Sequence, residues 1–289
     1  MSGPRTRTIV SARIPLNIVE WGDPAAPPLV LQHGGHDHAR SWDAVAAAFA
    51  DTHHVIAPDL RGHGDSAWSG DGAYDLIDFV QDFACIVDRL GLPPCAMIGH
   101  SLGGNIATRF AGLYPDRVTR LVNIEGLGWS PEVTAERAGR DEIEQLREII
   151  ETRARYAARV PRRFPDLSSL AARMRASDER LSHEQAEHLA RHAARADVDG
   201  SLVVKHDPAG YDPTSFDISI DAKHRLWGAI ACPVLLVYGA QSWASNPAID
   251  GRAARFRDAR VELFENAGHW VHHDRLDDFI PLVGEFLAA

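Results

Sequence analysis

Cysteine is scarce in this chain and poorly spaced for a scaffold. The three thiols, Cys85, Cys95 and Cys232, are an odd number and form no CxxC pair, so no disulfide framework is expected. They read as inert, buried thiols in a reducing compartment, which predicts a cytoplasmic protein. Long hydrophobic runs are missing too. No stretch reaches the roughly 18 apolar residues of a spanning helix, so no membrane insertion is expected. The opening residues, Met1-Ser2-Gly3-Pro4-Arg5, lead into no apolar segment, and no secretory leader is expected. Positive charge is in deficit: 30 Lys+Arg face 40 Asp+Glu, a formal net charge of −10. A nucleic-acid-binding surface is therefore not expected. Phosphate-cradling spacings are absent as well. With no GxGxxG and no P-loop Lys-Ser/Thr pair, no nucleotide or other organic cofactor is indicated.

What is present is ordinary globular material. Hydrophobic residues make up 45% and charged residues 24% of 289, which excludes disorder and fibrous repeats. Short runs at Asn17–Trp21, Pro28–His33, His54–Pro58, Cys95–His100 and Val118–Glu125 read as strands. Helical patterns lie between them at Ser41–Ala50, Leu76–Leu90 and Leu102–Tyr114. The alternation resumes with strands at Pro233–Tyr238 and Arg260–Phe264 and a final helix at Leu276–Leu287. Such spacing predicts an α/β class fold with a mostly parallel central sheet covered by helices. Between Leu127 and Leu226 the texture changes to long Ala/Arg/Glu-rich helical runs, Glu136–Val160 and Ser182–Ala196, with almost no strand signal. A helical cap over 127–226 is thus expected, inserted between strands of a core formed by 1–126 and 227–289.

The chemistry concentrates at Gly99-His100-Ser101-Leu102-Gly103. A strand runs into this GxSxG and a helix runs out of it, the context in which a serine is thrust outward on a tight turn. Serine is a weak nucleophile at neutral pH and needs a base. His269, in Glu265-Asn266-Ala267-Gly268-His269-Trp270 just after the last strand, is the best placed of 15 histidines. His272 and His273 fall on the following helix and are read as solvent-facing or capping.

Together with His33-Gly34-Gly35 and Asp59-Leu60-Arg61-Gly62-His63-Gly64-Asp65-Ser66, these motifs span nearly the whole chain. In order and spacing the sequence resembles the α/β-hydrolase superfamily. The resemblance is to its cap-bearing group: serine esterases, serine hydrolase-like proteins, epoxide hydrolases and haloalkane dehalogenases. It implies an α/β-hydrolase fold and an acid in a Gly-x-x-Asp arrangement after the strand that follows the cap. Here that segment reads Tyr238-Gly239-Ala240-Gln241-Ser242-Trp243, and the carboxylate is missing. Glu125, at the end of the strand expected beside that of Ser101, is the substitute. Some members of the resembling group draw their acid from that strand end. Asp37 and Asp207 are weaker stand-ins, since only geometry defines a triad.

The expected set is Ser101, Glu125 and His269, with oxyanion donors from Leu102, the residue after the nucleophile, and from Gly35 by family correspondence. Epoxide hydrolases and dehalogenases of the superfamily attack with aspartate. A serine suits an acyl carbon instead, since an acyl-enzyme can be released by water. The expectation is a carboxylesterase-like serine hydrolase for a small or medium apolar acyl or aryl ester. Lactone, amide, thioester or carbon–carbon cleavage, a cofactor-free perhydrolase, and a non-catalytic binding protein on the same fold are the alternatives. Candidate pocket walls are His36, Trp42, Trp129, His206, Tyr211, Trp243 and Trp270. His33, His36, Asp37 and His38 could suggest zinc, but no second ligand cluster follows at a familiar spacing, and no metal is expected.

Overall fold

A computed structural model describes residues 3–210 and 217–289. Its strands are β1 (Arg5–Ser11), β2 (Ile14–Trp21), β3 (Pro28–Gln32), β4 (His54–Pro58), β5 (Cys95–His100), β6 (Val118–Ile124), β7 (Arg163–Phe164), β8 (Ala194–Ala196), β9 (Leu202–Val204), β10 (Val234–Gly239) and β11 (Ala259–Phe264). The α-helices are α1 (Asp43–Phe49), α2 (Leu76–Arg89), α3 (Leu102–Leu113), α4 (Pro131–Ala138), α5 (Glu142–Ala157), α6 (Leu167–Ser177), α7 (His183–Ala193), α8 (Ile220–Ala229), α9 (Val271–Asp274) and α10 (Leu276–Ala288). No helix among the described residues is long and apolar enough to cross a membrane.

Eight strands form one sheet in the order β1-β2-β4-β3-β5-β6-β10-β11. From β4 across to β11 every pairing is parallel, and β2 joins antiparallel to both β1 and β4. The central strands β4, β5 and β10 are buried along their full length. Alternate side chains therefore feed two cores. Met97 and Leu236 pack with Phe79, Phe83 and Phe110 of α2 and α3 on one face. On the other, Ile98, Val122 and Leu235 pack with Phe49 of α1 and Phe279 of α10.

Three departures from the sequence expectations have physical causes. The hairpin strand β1 is an edge strand whose first four residues are exposed, so it lacks an apolar signature. The tight turn joining it to β2 uses Ala12 and Arg13 at φ 45° and 71°, where glycine or asparagine would have announced a hairpin. The run expected as one helix over Glu136–Val160 is two. Gly139 caps α4, and the Asp141 carboxylate accepts from the backbone N–H groups of Ile143 and Glu144 to start α5. The same insertion carries α6 and a small sheet, β7-β9-β8, whose strands of two or three residues are too short for periodicity to show.

The insertion is tied to the sheet domain at several places. His38 Nε2 bonds the Leu189 carbonyl, His188 Nε2 bonds the Arg40 carbonyl, and Gln185 donates to the His273 carbonyl. Tyr74 donates to Asp207 at 2.5 Å, and Lys205 pairs with Asp65.

Candidate active site

The elbow is built by backbone contact that excludes side chains. A Cβ on Gly103 would lie 2.2 Å from the Gln32 carbonyl oxygen, and one on Gly99 would lie 2.5 Å from that of Gly103. Removing both side chains lets α3 start directly against the end of β3. Ser101 then sits at φ 52°, ψ −117°, a conformation a non-glycine residue holds only under strain. Its N–H bonds the Ile124 carbonyl at 2.8 Å, which pins the turn to the end of β6.

Glu125 follows that carbonyl at φ 51°, and its N–H donates to Val237 of β10. Its carboxylate is buried and makes three hydrogen bonds. Oε2 accepts from His269 Nδ1 at 2.6 Å and from the Ser242 hydroxyl at 2.6 Å; Oε1 accepts from the Gly239 N–H at 2.8 Å. Because a carboxylate only accepts, His269 carries its proton on Nδ1 and leaves Nε2 as an acceptor. The other acids are engaged elsewhere. Asp37 accepts from the His38 N–H and the Ser41 hydroxyl, Asp207 from Tyr74, and Asp250 from Arg252 and Ser245.

Sequence alone assigns no functional role to Ser242 or Gly239. Ser242 stands at the position where the resembling family carries its acid, and here its hydroxyl donates to the Glu125 carboxylate. The loop bearing His269 is anchored on both sides. Asp274 accepts from the Gly268 N–H at 2.7 Å, and His100 Nε2 donates to the His269 carbonyl at 2.9 Å. Sequence alone assigns no role to His100 either; its place immediately before Ser101 is its one local signal.

The loop after β3 is held by His33. Leu60 N–H donates to its Nε2 at 3.0 Å, so Nδ1 carries the proton and donates to the Gly34 carbonyl at 2.7 Å. A Cβ on Gly34 would lie 3.2 Å from that of Ser101, so this loop lies against the serine. Gly35 follows it, half-buried. Leu102 is the first residue of α3, where the N–H has no partner inside the helix.

The aromatic residues divide. Trp243 is 68% exposed with its ring centroid 4.8 Å from that of His269, and Trp270 meets His269 edge-on at 5.2 Å. Trp129, 39% exposed, lies 6.5 Å from Trp243. It lines a cleft of about 200 Å³ with Leu127, Pro131, Trp227 and Arg252, and none of Ser101, Glu125 or His269 reaches that cleft. His36 is exposed at φ 60° and its ring is 5.0 Å from that of His206. Trp42 is a correction. It is fully buried, stacked on His272 at 4.4 Å within the core between the sheet and α10, so it walls no pocket. The helical turn before α1 points it inward, a direction that residue type alone does not reveal. His272, read as solvent-facing or capping, is likewise fully buried. Tyr211 lies outside the described residues.

His63, His100 and His272 are each buried, and burial pushes all three well below the ordinary imidazole range, with neighbouring histidines adding to it. They stay neutral in the folded state. The unfolded chain protonates them below about pH 6.5, so stability falls as pH drops from there toward their folded values. Each contributes a slope of up to about 1.4 kcal/mol per pH unit in that window. Urea midpoints should therefore fall between pH 7.5 and pH 5.5, and His272→Phe should flatten the slope. A midpoint unchanged over that interval would contradict the assignment.

The fold puts a strained serine elbow and a histidine–carboxylate couple at the carboxyl end of one mostly parallel sheet. The chain belongs to the α/β-hydrolase fold family, whose model matches residues 27–276. Among curated relatives it is 29% identical over 274 residues to the mouse protein named sn-1-specific diacylglycerol lipase ABHD11, covering 92% of this chain and 83% of that one. It is 28% identical over 282 residues to esterase Rv0045c of Mycobacterium tuberculosis, covering 93% and 85%. Among solved structures it superposes on the thioesterase domain from the curacin biosynthetic pathway with a TM-score of 0.84 at 22% identity. That match covers 98% of this chain and all of the other, and it speaks to the fold alone.

Proposed function

We propose that this protein is a serine hydrolase of carboxylic esters with small or medium apolar acyl or aryl groups. The observation that carries the reading is the buried Glu125 carboxylate bonded to His269 Nδ1 at 2.6 Å, on the strand end that pins Ser101. A binding protein that had lost catalysis would have no need to keep this couple assembled through Ser242 and Gly239. The ester bond is favoured by the relatives, a diacylglycerol lipase and an esterase. The exposed ring of Trp243 and the edge-on Trp270 supply apolar surface beside His269.

In this reading Ser101 Oγ attacks the ester carbonyl carbon while its proton passes to His269 Nε2. The imidazolium keeps its Nδ1–H on Glu125, which orients it and stabilises its charge. The N–H groups of Leu102 and Gly35 receive the developing oxyanion, aided by the positive end of α3. Collapse expels the alcohol, which takes its proton from His269. A water activated by the same imidazole then attacks the acyl-enzyme and releases the carboxylic acid and free Ser101. The test is labelling by an active-site organophosphonate with mass-spectrometric localisation. The adduct is expected on Ser101. Folded protein left unlabelled at Ser101 by probes of several sizes would overturn the reading.

A further inference from the structure

We propose that Asp43, His188 and His192 form a binding site for a divalent first-row transition metal ion of the zinc type, which clamps α7 onto α1. The three include none of Ser101, Glu125 and His269, and they border the His33–His38 run, in which no metal is expected, at His38. His188 and His192 stand one turn apart on α7 and so share a face. Asp43 opens α1 on the opposite side of the seam. One ligand atom from each of the three lies within 4.8 Å of the other two. The imidazole centroids are 5.0 Å apart, and His188 Nε2 is 3.3 Å from Asp43 Oδ2. An ion with bonds of about 2.0–2.2 Å spans such a triangle after small side-chain adjustments. All three side chains are half-buried, so they are accessible to an ion yet partly fixed in direction.

The donor chemistry selects the ion. Two imidazoles and one carboxylate suit zinc, cobalt, nickel or copper, whereas magnesium and calcium take oxygen ligands. A second observation stands behind the three. His38 is buried with its ring 6.1 Å from that of His192, and its Nδ1 has no hydrogen-bond partner among the described residues. An opposing group is also present. Arg40 forks onto the Asp43 carboxylate, with Nε 2.7 Å from Oδ1 and a terminal nitrogen 2.6 Å from Oδ2. An arriving ion must displace that guanidinium and break the bond from His188 Nε2 to the Arg40 carbonyl, which makes Arg40 a built-in competitor.

The consequence is a cross-link between distant parts of the chain. α7 belongs to the segment between β6 and β10, while α1 precedes β4, and the present seam is held by a few hydrogen bonds and the His188–Asp43 contact. An ion there would hold α7 against the sheet domain more firmly.

The experiment titrates the metal-free protein with zinc chloride by calorimetry and with cobalt(II) by visible absorption, with magnesium as a control. Hydrogen exchange then follows the α7 amides with and without zinc. The parent should bind one zinc per chain, show a cobalt band of nitrogen–oxygen ligation, and gain protection in α7. His192 makes no hydrogen bond across the seam among the described residues, so His192→Ala keeps those bonds and is the clean variant. It should weaken zinc at least as much as the ~10–100-fold loss typical of removing even an outer partner. Asp43→Asn should also weaken zinc, and Arg40→Gln should tighten it by removing the competitor. Identical zinc isotherms for the parent and folded His192→Ala would overturn the proposal, as would zinc-induced protection confined to regions other than α7 and α1. None of these readouts depends on ester hydrolysis.

Discussion

Ser101→Ala is expected to lower kcat on a short-chain aryl ester by about 10⁵–10⁶-fold, the scale found when a serine nucleophile is removed from a working triad. The backbone should barely notice, because alanine inherits the same φ of 52° and the pinning bond uses the backbone N–H. Circular dichroism and the thermal midpoint should match the parent. Ser101→Gly separates strain from chemistry. It should be equally inactive yet more stable by about 1 kcal/mol, since glycine holds a positive φ without the penalty. Steady-state kinetics with melting curves reads both. Comparable turnover in the parent and Ser101→Ala would move the nucleophile elsewhere.

Glu125→Gln is expected to cost about 10⁴ in kcat, the size seen when an amide replaces the acid of a serine triad. The reason is legible in the contacts. If the amide oxygen keeps the Gly239 N–H, its NH₂ faces His269 Nδ1–H, and two donors meet. His269 must then move its proton to Nε2, where it can no longer take one from Ser101. Ser242 offers a rescue. Its hydroxyl is 2.6 Å from the same Glu125 oxygen that accepts from His269, so an aspartate there would reach the imidazole by a short shift. Glu125→Gln combined with Ser242→Asp should recover part of the lost turnover. Ser242→Asp alone should lower activity, because two adjacent carboxylates cannot both ionise at normal cost. kcat/KM for the four proteins, with folding checked by circular dichroism, decides the matter. Glu125→Gln keeping more than half of parental activity would show that the acid is another residue.

Local pattern carried the α/β class and the position of the serine. Strand, GxSxG and helix lie within one short stretch, and each is encoded by its own residues: an apolar run, two side-chain-free positions and an amphipathic continuation. The empty acid position at Ser242 came from the resemblance, whose Gly-x-x-Asp arrangement implies a carboxylate there. Pattern failed where the signal was weak or shared. The exposed edge strand β1 has no apolar face, the small sheet β7-β9-β8 has too few residues per strand for a period, and Trp42 has the same composition whether it faces solvent or core.

The expected strand order and the resemblance suggested the Glu125–His269 pairing, but the contacts that hold it were decided by tertiary structure. Glu125 meets His269 across 144 residues of chain and Ser242 across 117, and His38 meets Leu189 across 151. No local periodicity reports a contact of that span. Parallel strands place their carboxyl ends side by side whatever their order in the chain, so β6 delivers an acid to a histidine that follows β11, and the loop after β10 supplies the hydroxyl that steadies it. The sequence by itself determined which residues could do chemistry. Strand order and burial decided which of them touch, because a hydrogen bond depends on positions in space and not on separation along the chain.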